Sequence, residues 1–212
     1  MYKLVIFNFD GVIADTYDVL KRVYDRLKDD FRFKNMSEDD RENLRELSMF
    51  QLMKAFHVPF YKLPKFLQEV IPIYKETMVT APLFDGIRET VEKLKGQGSD
   101  VVILSSNNPK LIRKFLKHHD FEVFDKVVGG AAFFNKQTRL NSVIKSYKVD
   151  HIEAIYVADE RRDIEACKKI NLPIAAVTWG YDDYKVLGAG RPTYLVQDLE
   201  DLEEALLNSP QS

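Results

Sequence analysis

Short apolar runs rich in β-branched residues recur along this chain, and the segments between them carry apolar positions spaced three and four apart. Tyr2 to Phe9 is the first such run; Asp100 to Leu104, Lys126 to Val128, Ala154 to Val157, Ile174 to Val177 and Tyr194 to Val196 follow. Runs this uniformly apolar suit strands buried on both faces. Between them, Ile87, Val91 and Leu94 share a helical face that stops at Gly96, and Asn108-Pro109 opens a helix carrying Leu111, Ile112, Phe115 and Leu116. Leu140, Val143, Ile144 and Tyr147 mark another. Strands alternating with helices of this length predict right-handed βαβ units, and so an α/β fold with a doubly wound, mainly parallel Rossmann-like sheet.

Residues 17 to 80 break the rhythm, because no β-type alternation occurs there. Val19, Leu20, Val23, Tyr24 and Leu27 line one helical face, Ser37 can cap a second helix through Leu44, Leu47 and Phe56, and Pro64 suits the first turn of a third. The expected organisation is an α/β core from residues 1–16 and 81–212, with an all-α cap inserted at 17–80. Closure of such an insert would exclude water and complete a pocket, so substrate choice is expected to lie there.

Composition narrows the function. At 212 residues and 45% hydrophobic content the chain can bury a large core, and a net charge of -2 with interspersed signs offers no basic stripe for nucleic acid. The chain runs from Met1 straight into the first strand with no long apolar span, which predicts no membrane association and a cytoplasmic protein. A monomer or homodimer is expected. Cys167, the sole cysteine, excludes an internal disulfide and falls on a helical pattern between Ile164 and Ile170, where a buried thiol is expected. His57, His118, His119 and His151 lack metal-ligand spacing.

Chemistry concentrates where the apolar runs end, the edge at which open α/β sheets bind ligands. Asn8 and Asp10 are two residues apart and face the same way; Asp10-Gly11 then turns the chain. Two carboxylates so placed could divide nucleophilic attack on phosphorus from proton transfer, although a polar turn after a first strand is common. Ser105, Ser106 and Asn107 follow the second run and lead into a helix N-terminus, suited to phosphate oxygens or to plain capping. Lys136 stands after Gly129-Gly130 and Phe133-Phe134 at a helix start, where an ammonium could neutralise phosphate. Asp159 and Asp163 are four apart at the start of another helix, a spacing that suits Mg2+ or complements the helix dipole.

In this order the four stations resemble the haloacid dehalogenase superfamily, in its phosphoglycolate phosphatase-like branch with a helical cap. FNFDGVIADT resembles the family's DxD opening motif, LSSNN its Ser/Thr motif, Lys136 its lysine and ADERRD its acidic motif, while VTWGY at 177–181 is similar to a loop common in the branch. The resemblance implies a Mg2+-dependent phosphomonoester hydrolase working through an aspartyl-phosphate on a small phosphorylated metabolite. It makes Asp10 the general acid/base with its carbonyl on the metal, and lets Ser105 and Lys136 hold the phosphoryl group with Gly11, Ser106 and Asn107 beside them. Asp159 becomes a metal ligand, and Asp163 acts through water or orients the others. Ala158 replaces the family's usual Gly. Dehalogenases of the family lack the metal-site acids and an equivalent of Asp10.

The departure is at the nucleophile position, which holds Asn8. A carboxamide has no anionic oxygen with which to form the aspartyl-phosphate, so the chain as written is expected to be nearly inactive. Its carbonyl could still reach a cation, as a neutral and weaker ligand. Removing one negative charge beside a phosphate dianion also removes repulsion on the order of 4 kcal/mol at ~4 Å and an effective dielectric of ~20. Either Asn8 is native and makes a phosphate-binding pseudoenzyme, or it is a substitution introduced into an otherwise working phosphatase to stop turnover. A phosphosugar mutase of similar architecture is the further alternative; Arg41, Arg45 or Lys54 could hold its intermediate, or stand as ordinary solvated helix charges.

Overall fold

A computed structural model describes residues 1–31, 63–130 and 136–207. The chain divides into two compact units, one of residues 1–15 and 82–212 and one of residues 16–81. The larger unit is built on a sheet of six strands, β1 (Leu4–Phe7), β2 (Asp100–Leu104), β3 (Lys126–Val128), β4 (Ala154–Ala158), β5 (Ile174–Val177) and β6 (Tyr194–Val196). Their order across the sheet is β3-β2-β1-β4-β5-β6, and every pairing is parallel. β1, β4 and β5 are buried throughout, as is β2 beyond Asp100, which is why these strands read as unbroken apolar runs. β1 is shorter than the run Tyr2 to Phe9, although Lys3 and Asn8 still donate backbone N–H bonds to Glu153 and Val157 beyond its ends.

The smaller unit contains α1 (Val19–Phe31) and α2 (Leu63–Val79), which pack together. Val19, Val23, Tyr24 and Leu27 are all buried, at the spacing of one helical face. Pro64 stands in the first turn of α2, where its missing N–H costs nothing. Ser37, Leu44, Leu47, Phe56, His57, Arg41, Arg45 and Lys54 lie outside the described residues.

Helices α3 (Ile87–Gly96), α4 (Pro109–His118), α5 (Lys136–Tyr147), α6 (Arg161–Lys168), α7 (Tyr184–Ala189) and α8 (Leu199–Leu207) complete the larger unit. α4 starts as its sequence demands: Asn108 accepts from the Lys110 N–H at 2.9 Å, and Pro109 is the first helical residue. Leu140, Val143 and Ile144 of α5 join Ile164 and Cys167 of α6 against Ile6, Leu104, Tyr156 and Ala176 of the strands. Cys167 is fully buried, and burial pushes its thiol pKa well up.

Register decides where chemistry can gather. Phe7 is level with Ile103 of β2 and with Val157 of β4, so three central strands end side by side. The chain runs outward through β2 and β3 and then crosses to β4 on the other flank of β1. That reversal opens a crevice at the carboxyl ends of β1, β2 and β4, from which Asn8, Ser105 and Asp159 emerge.

Candidate active site at the strand ends

Asn8 is the first residue past β1 and is only 7% exposed. Beyond it the chain doubles back, with the Phe9 carbonyl accepting from the N–H groups of Ile13 and Ala14, and Gly11 N–H donating to Ala14. Gly11 adopts φ 74, and a Cβ there would stand 2.0 Å from Asp159 Oδ2. Only glycine permits both the turn and this approach.

Two groups of bonded side chains occupy the crevice. In the first, the Asp10 carboxylate accepts from Ser105 Oγ at 3.3 Å and from Asn107 Nδ2 at 3.1 and 3.2 Å. Ser105 is fully buried because its own N–H continues the β2–β3 ladder to Val128, and its Oγ accepts from the Asn107 N–H at 2.9 Å. Asn107 is fixed at its other end by Gly130, whose N–H donates to its carbonyl at 2.8 Å. Ser106 is exposed beside this group.

The second group surrounds Asp159, which is fully buried one residue past β4. Asn8 Nδ2 donates to Asp159 Oδ1 at 3.1 Å and to the Asp10 carbonyl at 3.2 Å, while the Tyr181 N–H donates to Asp159 Oδ2 at 2.9 Å. Gly180 closes the same wall, since a Cβ there would stand 2.4 Å from Asp159 Oδ2 and 2.6 Å from the Gly11 carbonyl. Burial, then the neighbouring Glu160 and Asp163, pushes the Asp159 carboxyl up to about 8 against the opposing donors Tyr181 and Asn8. Glu160 is raised as well, by burial and by Asp163.

Lys136 opens α5, and its Nζ meets both carboxylate oxygens of the fully buried Asp163, at 2.5 and 2.6 Å. The same ammonium lies 5.3 Å from the centre of the Tyr156 ring. Phe133 and Phe134, expected beside it, fall outside the described residues.

Of the positions singled out in the sequence, hydrogen bonds join Asn8, Asp10, Ser105, Asn107 and Asp159 into one network. Lys136 and Asp163 form a separate pair. Asn107, expected among phosphate donors, directs its side-chain amide at Asp10. Gly180 and Tyr181 were not among the expected site residues, although VTWGY is the run of sequence that carries them. Trp179 of that run tilts against Phe84, ring centres 6.4 Å apart.

The sequence profile of the haloacid dehalogenase-like hydrolases matches residues 5–177. The chain belongs to that family. This haloacid dehalogenase-like hydrolase is 27% identical over 205 residues to a phosphoglycolate phosphatase of Synechococcus elongatus, an alignment covering 96% of this chain and 97% of that one. Its fold is shared with a Clostridium difficile protein assigned as a phosphatase, at a TM-score of 0.82, 21% identity and coverage of 97% and 98%. A Thermotoga maritima protein assigned as a β-phosphoglucomutase follows at 0.79, 22% and 97% of each chain. Identities this low carry the fold and not the substrate.

The family implies a divalent cation. As arranged, the donor set of this haloacid dehalogenase-like hydrolase does not fit one. The Asp10 carbonyl and Asp159 Oδ1 both accept from the Asn8 amide, and Asp163 gives both oxygens to Lys136. Among the described residues no three His, Cys, Asp or Glu side chains cluster as ligands.

Proposed function

We propose that the crevice is the phosphoryl site of a phosphomonoester hydrolase whose first chemical step is blocked at Asn8. The observation that carries this reading is the Asp10 carboxylate, held by Ser105 and Asn107 two residues beyond a position bonded to Asp159. An oriented carboxyl group beside a nucleophile position is what proton transfer to a leaving oxygen requires.

With a carboxylate at position 8, its oxygen would attack phosphorus, the bond from phosphorus to the leaving oxygen would break, and Asp10 would give that oxygen its proton. Water would then attack the acyl phosphate with Asp10 taking its proton, releasing phosphate and restoring both carboxyl groups. The Asn8 amide cannot begin this sequence. Lys136 has three N–H donors, and two directed at Asp163 leave one for a phosphoryl oxygen. Asp163 would then serve by fixing the ammonium.

The substrate in this reading is a small phosphorylated metabolite in the cytoplasm, a class suggested by the Synechococcus relative's name. Residues 16–81 would select it. Mg2+ is the cofactor of the competent, carboxylate-bearing form. A panel of phosphorylated metabolites assayed with the Asn8→Asp protein, with and without Mg2+, tests the proposal. Mg2+-dependent phosphate release is expected. Binding without turnover would identify a pseudoenzyme, and an isomeric phosphosugar in place of phosphate would identify a mutase.

A further inference from the structure

Toward a cation, a carboxamide at the end of β1 can do two opposite things: offer Oδ1 as a neutral ligand, or put its N–H2 group where the ion would stand. The hydrogen bonds decide between them. Nδ2 lies 3.1 Å from Asp159 Oδ1 and 3.2 Å from the Asp10 carbonyl, so its two hydrogens serve two oxygens from different strand ends. Turned half a revolution about its last bond, Asn8 would set Oδ1 against those same oxygens. The Asp10 carbonyl, which can only accept, would then face a second acceptor, in a place only 7% open to solvent at Asn8 and closed at Asp159.

The surroundings leave little alternative. Gly11 and Gly180 bring backbone so close to Asp159 that a Cβ on either would stand 2.0 or 2.4 Å from Oδ2, and that oxygen already accepts from Tyr181. Asp159 Oδ1 therefore faces the Asn8 amide.

We propose that the Asn8 amide nitrogen is a built-in substitute for the divalent cation, bridging Asp159 to the Asp10 backbone and excluding the metal by occupying its place. The chain then holds its strand-end loops together with a neutral donor, and its metal affinity is set by this amide. The inference is independent of catalysis and stands whether or not a restored chain turns over any phosphomonoester.

The test is Mn2+ binding, read from the loss of the free-ion signal in electron paramagnetic resonance, for the parent chain, Asn8→Asp and Asn8→Ala. Asn8→Asp is expected to bind most tightly. Asn8→Ala has no ligand atom at position 8, yet it is expected to bind about tenfold more tightly than the parent, because the competing hydrogen bonds to Asp159 and Asp10 are gone. Parent binding equal to that of Asn8→Asp, or tighter than that of Asn8→Ala, would show that Asn8 ligates through oxygen and would overturn the proposal. Should Asn8→Ala not fold, thermal melting of the parent decides: Mg2+ is expected to leave its midpoint unchanged while raising that of Asn8→Asp, and a rise in the parent contradicts the account.

Discussion

The side-chain amide of Asn107 donates to both oxygens of the Asp10 carboxylate, at 3.1 and 3.2 Å, across the gap between β2 and β1. Asn107 is itself held by Ser105 and Gly130, so an anchored neighbour from beyond β2 helps to aim the carboxylate. In the Asn8→Asp background, Asn107→Ala is expected to lower kcat by about tenfold to a hundredfold with little change in KM, in line with losing hydrogen bonds to a charged group. The pH–rate profile distinguishes positioning from general damage. Losing donors to the carboxylate should move the limb governed by Asp10 to higher pH, whereas an unmoved profile would remove Asn107 from that role.

Asp159 links stability to pH. Burial pushes its carboxyl up to about 8 in the folded chain, against about 3.9 in an unfolded one. Between those values the folded chain holds the extra proton, so this contribution is complete below about pH 4 and is lost as pH rises toward about 8. Its size is on the order of several kcal/mol. Urea unfolding from pH 5 to 8 is expected to show falling stability in the parent and a flatter dependence in Asp159→Asn. Parallel curves would mean that Asp159 is ionised throughout.

Glycines test the close approach around the same residue. Gly180→Ala is expected to destabilise by about 1–3 kcal/mol, because its Cβ would stand 2.3 Å from Asp159 Cβ and overpack a fixed site. Gly96→Ala, at the end of α3 with nothing within 4 Å, should be neutral or stabilising by up to ~1 kcal/mol. Chemical denaturation of the two variants beside the parent checks the contrast.

Cys167 is fully buried among Leu140, Ile164 and Leu172, and its thiol is pushed upward chiefly by burial. It is expected not to react with a chromogenic thiol reagent at pH 8 until denaturant unfolds the chain. Immediate stoichiometric reaction in the native protein would place the thiol at the surface.

Much of the fold was legible because its determinants are local. Val101 to Leu104 is apolar and β-branched enough to mark a buried strand, and Asn108-Pro109 supplies the cap and first residue of a helix. The sheet is parallel at every pairing, as the alternation with helices demanded, and its register then places the ends of β1, β2 and β4 together. What spacing could not convey is partner choice. Asp159 and Asp163 look alike at four residues apart, yet one accepts from Asn8 and Tyr181 while the other takes an ammonium from a helix that begins at Lys136. Tyr181 contributes a backbone N–H, which no side-chain pattern can advertise.

In the proposed function, a carboxylate at position 8 supplies the nucleophile and takes the amide out of the cation's place. Intact-mass measurement of the Asn8→Asp protein, quenched in acid within the first turnover on a phosphomonoester it hydrolyses, is the deciding experiment. The expected result is one added phosphoryl group, formed with a burst of leaving group, stable in acid and released by hydroxylamine, and absent from the parent chain. Phosphate release with no such adduct and no burst, or an equal adduct on the parent, would rule out an aspartyl-phosphate formed at position 8.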